Sequence, residues 1–205
     1  MNRAELKDLA KEQIKGKIGI LFLITLLIGL ISGAATAVLS VIPVVGSLAA
    51  AIVVTPAFTL SIYRVYLLVA DGTTPEVKDT FSGFDDFWSA FKLTFLMGLY
   101  VFLWSLLFYI PGIVKAISYS MSFYVLAENK GKSARECLRA SMEMTNGHKW
   151  ELFVLGLSFF GWLLLCGITF GIAYIWVGPY MQATFTNAYK ILKSAPEVPV
   201  DEVTE

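Results

Sequence analysis

The stretch Phe108-Tyr109-Ile110-Pro111-Gly112-Ile113-Val114-Lys115-Ala116-Ile117-Ser118-Tyr119-Ser120 decides the fold. An apolar helix that has run since Leu93 meets Pro111, which lacks a backbone donor, and Gly112, which relaxes the backbone; the chain then resumes with Lys115 in its first new turn. This predicts a helical hairpin inside a bilayer, with its corner at Pro-Gly. Hairpins of similar build are expected on both sides of it.

Composition supports a membrane setting. Hydrophobic side chains make up 57% of the 205 residues and charged ones 16%, against about half and about a quarter in soluble domains. The mean hydropathy is +0.68. Sixteen basic and sixteen acidic residues cancel, and no basic run offers a track for phosphates, so no nucleic acid is expected. Lipid and protein are the expected partners. Cys137 lies in a charged segment and Cys166 within an apolar one, so neither a disulfide nor a metal site is expected. The largely polar stretch from Met1 to Lys17 lacks the form of a cleavable leader, and Met1 is expected to stay on the chain.

Outward from the central hairpin, the N-terminal segment has helical period. Leu6, Leu9, Ala10 and Ile14 share one face, and Asn2 with Glu5 suits a capped start. A helix lying on the membrane surface is expected there. Ile18 to Ile42 is uncharged and longer than the roughly 20 residues that a bilayer core requires. Its Gly29 and Gly33 form a GxxxG, where packing inside one chain outweighs self-association. Pro43 to Gly46 turn the chain into a second span, Ser47 to Ala70, with Thr55, Thr59, Tyr63 and Tyr66 at helical spacing and Arg64 two turns before the exit. A headgroup anchor outweighs a ligand-binder for Arg64.

A polar loop leads to a second surface helix with Phe81, Phe84, Phe87, Trp88 and Phe91, read as interfacial anchors. The third span is Leu93 to Ile110 and the fourth Ile113 to Leu126. Ser133 and Glu136 make a capping box for a third amphipathic helix, with Ala134, Leu138 and Met142 on one face. The fifth span runs from Leu152 to about Tyr174, with a GxxxG at Gly167 and Gly171; Gly178-Pro179 break the chain before a sixth, Tyr180 to Leu192. Pro196, Pro199, Glu197, Asp201, Glu202 and Glu205 mark residues 194–205 as a loose acidic tail.

The expected fold is therefore all-α: a polytopic membrane helical bundle of six transmembrane helices. Residues 1–193 form one domain of three units, 1–72, 73–131 and 132–193, each an amphipathic helix followed by a hairpin. The corners near Pro43, Pro111 and Gly178 are charge-free, whereas nearly every Lys and Arg lies in the terminal and connecting segments, which places both termini in the cytosol. In each unit the returning span is the wetter one, so three such spans are expected to enclose a polar seam. Its candidate ligand-binding residues are Lys115, Tyr119, Arg64, Tyr63, Gln182 and Asn187. For Lys115 an anchor and a ligand for an anion or headgroup both stay open.

Enzyme signals are scarce. There is no Walker lysine loop, GxSxG or HExxH, and the single histidine, His148, stands beside Lys149 and Trp150 at a helix start. No catalytic residue, cofactor or metal is expected. The blocks Ile110 to Met121 and Gly147 to Phe153, with Leu157 to Trp162 and Pro179-Tyr180 after them, resemble a bacterial integral-membrane family catalogued as domain of unknown function 975. The resemblance spans nearly the whole chain. It implies a multi-span protein of the bacterial plasma membrane and brings no activity or substrate with it. A non-enzymatic scaffold or accessory protein is the leading expectation, and a transporter or permease component for an anionic or amphipathic solute or lipid is the alternative.

Overall fold

The computed structural model describes residues 2–39, 45–107 and 109–194. Among them the chain is helical, without a strand. The order is α1 (Arg3–Ile14), α2 (Ile18–Leu39), α3 (Val45–Ala70), a 3-10 helix (Val77–Asp86), α4 (Phe87–Leu107), α5 (Tyr109–Tyr119), α6 (Ser122–Glu128), α7 (Ala134–Thr145), α8 (Lys149–Leu157), α9 (Phe160–Ile168) and α10 (Tyr174–Ser194). The corner expected at Pro43 and the acidic tail from residue 195 lie outside the described residues; Gly46 is already within α3.

Four stretches are long and apolar enough to cross a membrane: Ile18–Val38, Val77–Leu106, Ile110–Glu128 and Lys149–Ile168. The apolar part of α3, Val54–Ala70, is shorter, and α10 is diluted by Gln182, Thr184, Thr186 and Asn187.

α3 is the central element. From Pro56 to Val69 most of its side chains are buried, and it contributes to two apolar clusters. One joins α1, α2 and α3 through Ala10, Ile14, Leu21, Ile24, Phe58 and Val65. The other joins Leu60 and Leu67 to Tyr124, Leu126, Leu155 and Tyr189. The α1 start is capped by Asn2, which accepts from the Ala4 N–H at 3.2 Å. Leu6, Ala10 and Ile14 are buried, so α1 packs into the protein, against α10, rather than lying free on its surface. Leu9, one step round the helix from that stripe, is 43% exposed.

The second surface helix takes a different form. Phe81 and Phe84 belong to the 3-10 helix, which runs back along α3, and α4 begins at Phe87. Phe84 meets Phe58 edge-on at 5.2 Å. The approach is so close that a Cβ on Gly83 would stand 1.9 Å from the Ala57 carbonyl oxygen. Ser61 Oγ accepts from the Gly83 N–H at 2.8 Å and donates to the same Ala57 carbonyl at 3.1 Å. One helical turn on, Arg64 donates to the Ser82 carbonyl and pairs with Asp86.

Four expected features require correction. Pro111 and Gly112 are not the corner: both lie inside the first turn of α5, where a missing N–H costs nothing, and the reversal precedes them. Gly112 serves close approach instead, since a Cβ there would be 2.1 Å from Ser105 Oγ on α4. Likewise α10 continues through Gly178-Pro179, and the third corner is at Thr169–Ala173, where Phe170 (φ 51°) and Gly171 (φ 88°) adopt left-handed backbone. Gly171 is thus a turn residue, and Gly167-Gly171 is no helix-packing motif. Gly29 and Gly33 are exposed, with nothing within 4 Å of a Cβ on either, so they do not pack within the chain.

Two expected spans are interrupted. α5 and α6 part at Ser120-Met121, where Ser141 of α7 donates to the Ser118 carbonyl at 2.7 Å and accepts from the Met121 N–H at 3.2 Å. α8 and α9 part at Ser158-Phe159. α7 itself starts as expected, with reciprocal Ser133 and Glu136 bonds.

The side chains of Arg64 and Asp86 are only 9% and 15% exposed. Arg64→Met should therefore lower stability in detergent by about 3 to 5 kcal/mol, because Asp86 is left buried without its partner. Arg64→Met combined with Asp86→Leu should recover most of that loss in the same thermal melt.

Candidate functional site

The polar residues of the returning helices meet around a side chain that the sequence did not single out. Tyr124, on α6, is 2% exposed. Its hydroxyl accepts from Gln182 Nε2 at 3.3 Å and shares a hydrogen bond with Thr186 Oγ1 at 3.3 Å. Tyr63 of α3 sets its ring edge against Tyr124 at 4.4 Å and stacks on Phe123 at 5.4 Å. Tyr189 of α10 stacks on the other side of Tyr124 at 4.9 Å, and its hydroxyl donates to Glu128 Oε2 at 2.7 Å. Lys193 completes this row by pairing with Glu128. The α10 positions follow from helical spacing, since Gln182, Thr186 and Tyr189 share one face.

Of the six expected seam residues, Tyr63 and Gln182 come together through Tyr124. The other four do not join them. Arg64 faces the 3-10 helix. Lys115, in the first half of α5, holds its ammonium 5.2 Å from the Trp104 ring centroid, a contact worth about 0.5 to 1 kcal/mol when exposed. Tyr119 is buried beside Tyr100, with ring centroids 6.2 Å apart. Asn187 is 2% exposed, on a neighbouring face of α10, and its Nδ2 has no partner among the described residues. The missed residue, Tyr124, stands inside Ser122–Leu126, five consecutive buried positions. Only a hydroxyl in so apolar a run hinted that α10 must supply its partners.

Two apolar grooves flank this cluster. One, of ≈ 450 Å³, is lined by α2, α3 and α10, including Leu26, Tyr66 and Gln182. The other, of ≈ 410 Å³, lies among α5, α8 and α10, including Ile117, Leu152 and Phe185. No group of three or more His, Cys, Asp or Glu side chains able to hold a metal occurs among the described residues. Outside the apolar hairpins, Cys137 on α7 is fully buried, and burial pushes its thiol up to about 11. Both cysteines are free.

The described residues are helical, the apolar helices suit a bilayer, and the polar side chains bond to backbone groups and, around Tyr124, to one another. The chain belongs to the family described as Protein of unknown function (DUF975), whose family model matches residues 1–118 and 110–196. No curated protein and no solved structure matches the chain.

Two measurements check this geometry. Tyr124→Phe deprives Gln182 and Thr186 of a shared partner and should cost about 1 to 3 kcal/mol in a detergent melt, with Tyr119→Phe as the comparison variant. With Cys166→Ala in place, Cys137 should react with iodoacetamide about a hundredfold more slowly in the native than in the denatured protein at pH 8. Its folded pKa is raised, so the stability it contributes is complete below about pH 8.5 and is lost as the pH climbs toward 11.

Proposed function

We propose that residues 1–193 form a single six-span membrane domain of three hairpins, in a bacterial plasma membrane, with both termini and the connecting segments cytosolic. The domain is a non-enzymatic scaffold or accessory protein that holds other membrane components. One observation carries this reading: the polar groups that meet at Tyr124, from α3, α6 and α10, are enclosed and bonded to one another, while the outward surfaces are apolar and grooved. Phe170 is 98% exposed, Ile168 76%, and Ile110 and Leu106 74% each. Side chains of this kind, gathered at the far ends of the hairpins, are costly in water and suited to acyl chains. The positive-inside bias of the connecting segments supports the orientation.

A solute pathway would require the polar seam to run on toward Lys115. That ammonium sits over Trp104 instead, and the two grooves are walled by apolar side chains. These contacts favour the scaffold over the transporter.

Topology is tested with single cysteines at Phe170 and at Lys130, in a chain carrying Cys137→Ala and Cys166→Ala. A membrane-impermeant maleimide should label Phe170→Cys on intact cells and Lys130→Cys only after lysis; the opposite pattern would invert or abolish the arrangement. For the activity, native mass spectrometry from a mild detergent should give a complex heavier than the chain by a protein subunit. A bound small anionic solute with no protein partner would favour transport instead.

A further inference from the structure

The groove among α2, α3 and α10 has the size of a small-ligand site, ≈ 450 Å³. Its walls are Phe22, Leu26, Leu30, Ile175 and Met181, with Gly29 leaving room on the α2 side. No formally charged side chain lines it, so nothing there answers a phosphate. Four polar side chains line it: Thr25, whose hydroxyl donates to the Leu21 carbonyl at 2.9 Å, Tyr66, Tyr174 and Gln182. Gln182 already donates to Tyr124. Tyr66 is different. It is 5% exposed, yet its hydroxyl has no hydrogen-bond partner among the described residues. The hydroxyl is not one of the fully enclosed unpaired groups: it opens on the groove, and in an apolar setting an unpaired hydroxyl is costly, so the natural remedy is an acceptor supplied by whatever fills the groove.

We infer that the groove seats one acyl chain of an ester-linked membrane lipid, with the ester carbonyl accepting from the Tyr66 hydroxyl. The inference rests on the bilayer setting proposed above and goes beyond it by naming a ligand and a recognition contact. An apolar chain satisfies the walls, a neutral acceptor satisfies the tyrosine, and the lipid headgroup stays outside, where the absence of lining charge is no penalty. Gly29, which meets none of the described residues, then has a use: it keeps the α2 wall open for the acyl chain.

The full chain is placed in nanodiscs of ether-linked phosphatidylcholine containing a trace of ester-linked phosphatidylcholine with a diazirine on one acyl chain. After photolysis, labelled peptides are mapped by mass spectrometry. Labelling at Ile175 and Met181 should saturate, and should be competed about three- to tenfold better by unlabelled ester-linked than by added ether-linked lipid. Tyr66→Phe should abolish that preference without lowering the melting temperature. Gly29→Leu, whose side chain has room to enter the groove, should suppress labelling at Met181 while leaving labelling at Leu106 unchanged. Equal, unsaturable labelling at Met181 and Leu106 overturns the site but leaves the bilayer setting intact, as does a wild-type protein that competes ester and ether lipids alike. Absence of labelling at both positions overturns the site and the bilayer setting together.

Discussion

A guanidinium buried in a helix surrounded by apolar side chains must be answered by an acid, and the answer that Arg64 receives from Asp86 governs the middle of the protein. To bring Asp86 within reach, the chain leaving α3 must double back along it, and it does so as a 3-10 helix rather than by striking out along a membrane surface. Gly83 permits the contact by lacking a side chain, and Ser61 secures it by taking the Gly83 N–H. α4 then starts at Phe87, alongside α3. The place of the second hairpin follows from one charge pair and one missing methyl group.

The same requirement, that every buried polar group find a partner, explains the interruptions elsewhere. Where α5 gives way to α6, the freed Ser118 carbonyl and Met121 N–H both find Ser141. At the end of the first hairpin, Lys17 donates to the Gly72 and Thr73 carbonyls at 3.0 and 3.1 Å, which tethers the start of α2 to the exit of α3. Lys190 pairs with Asp71, and Lys193 with Glu128, so the last helix is tied to the ends of two others. These polar ties join the start of α2 and the ends of α3, α6 and α10.

Much of this was legible in the residues. The caps at Asn2 and Ser133, the buried stripe Leu6, Ala10 and Ile14, and the apolar helices follow from local rules that a single stretch can express. What was not legible depends on distance or on position within a helix. Pro111 and Pro179 suggest corners because proline ends helices, yet one falls in a first turn, and α10 carries the other with the loss of one backbone bond. Arg64 looked like an anchor because its partner lies 22 residues away, and no periodicity links the two. The Gly29-Gly33 spacing states that a close neighbour is possible, not which neighbour. Tyr124 escaped notice because a tyrosine among Phe123, Val125 and Leu126 reads as apolar filling until α10 brings Gln182 and Thr186 against it.

That the wetter helices turn inward does not by itself distinguish a conduit from a closed bundle, since both keep polar side chains from lipid. What separates them is whether the inward groups are satisfied. The groups that meet at Tyr124 are satisfied: tyrosine, amide, threonine and, through Tyr189, a carboxylate and an ammonium complete one another, whereas Ser122 Oγ and Asn187 Nδ2 beside them are enclosed without a partner among the described residues. Tyr66, two helical turns from Thr59 on α3, has no hydrogen-bond partner among the described residues, and it lies in the wall of the groove among α2, α3 and α10 rather than at Tyr124. The satisfied polar groups thus lie inside and the unpaired tyrosine on a flank, an arrangement that agrees with the scaffold proposed above better than with a conduit.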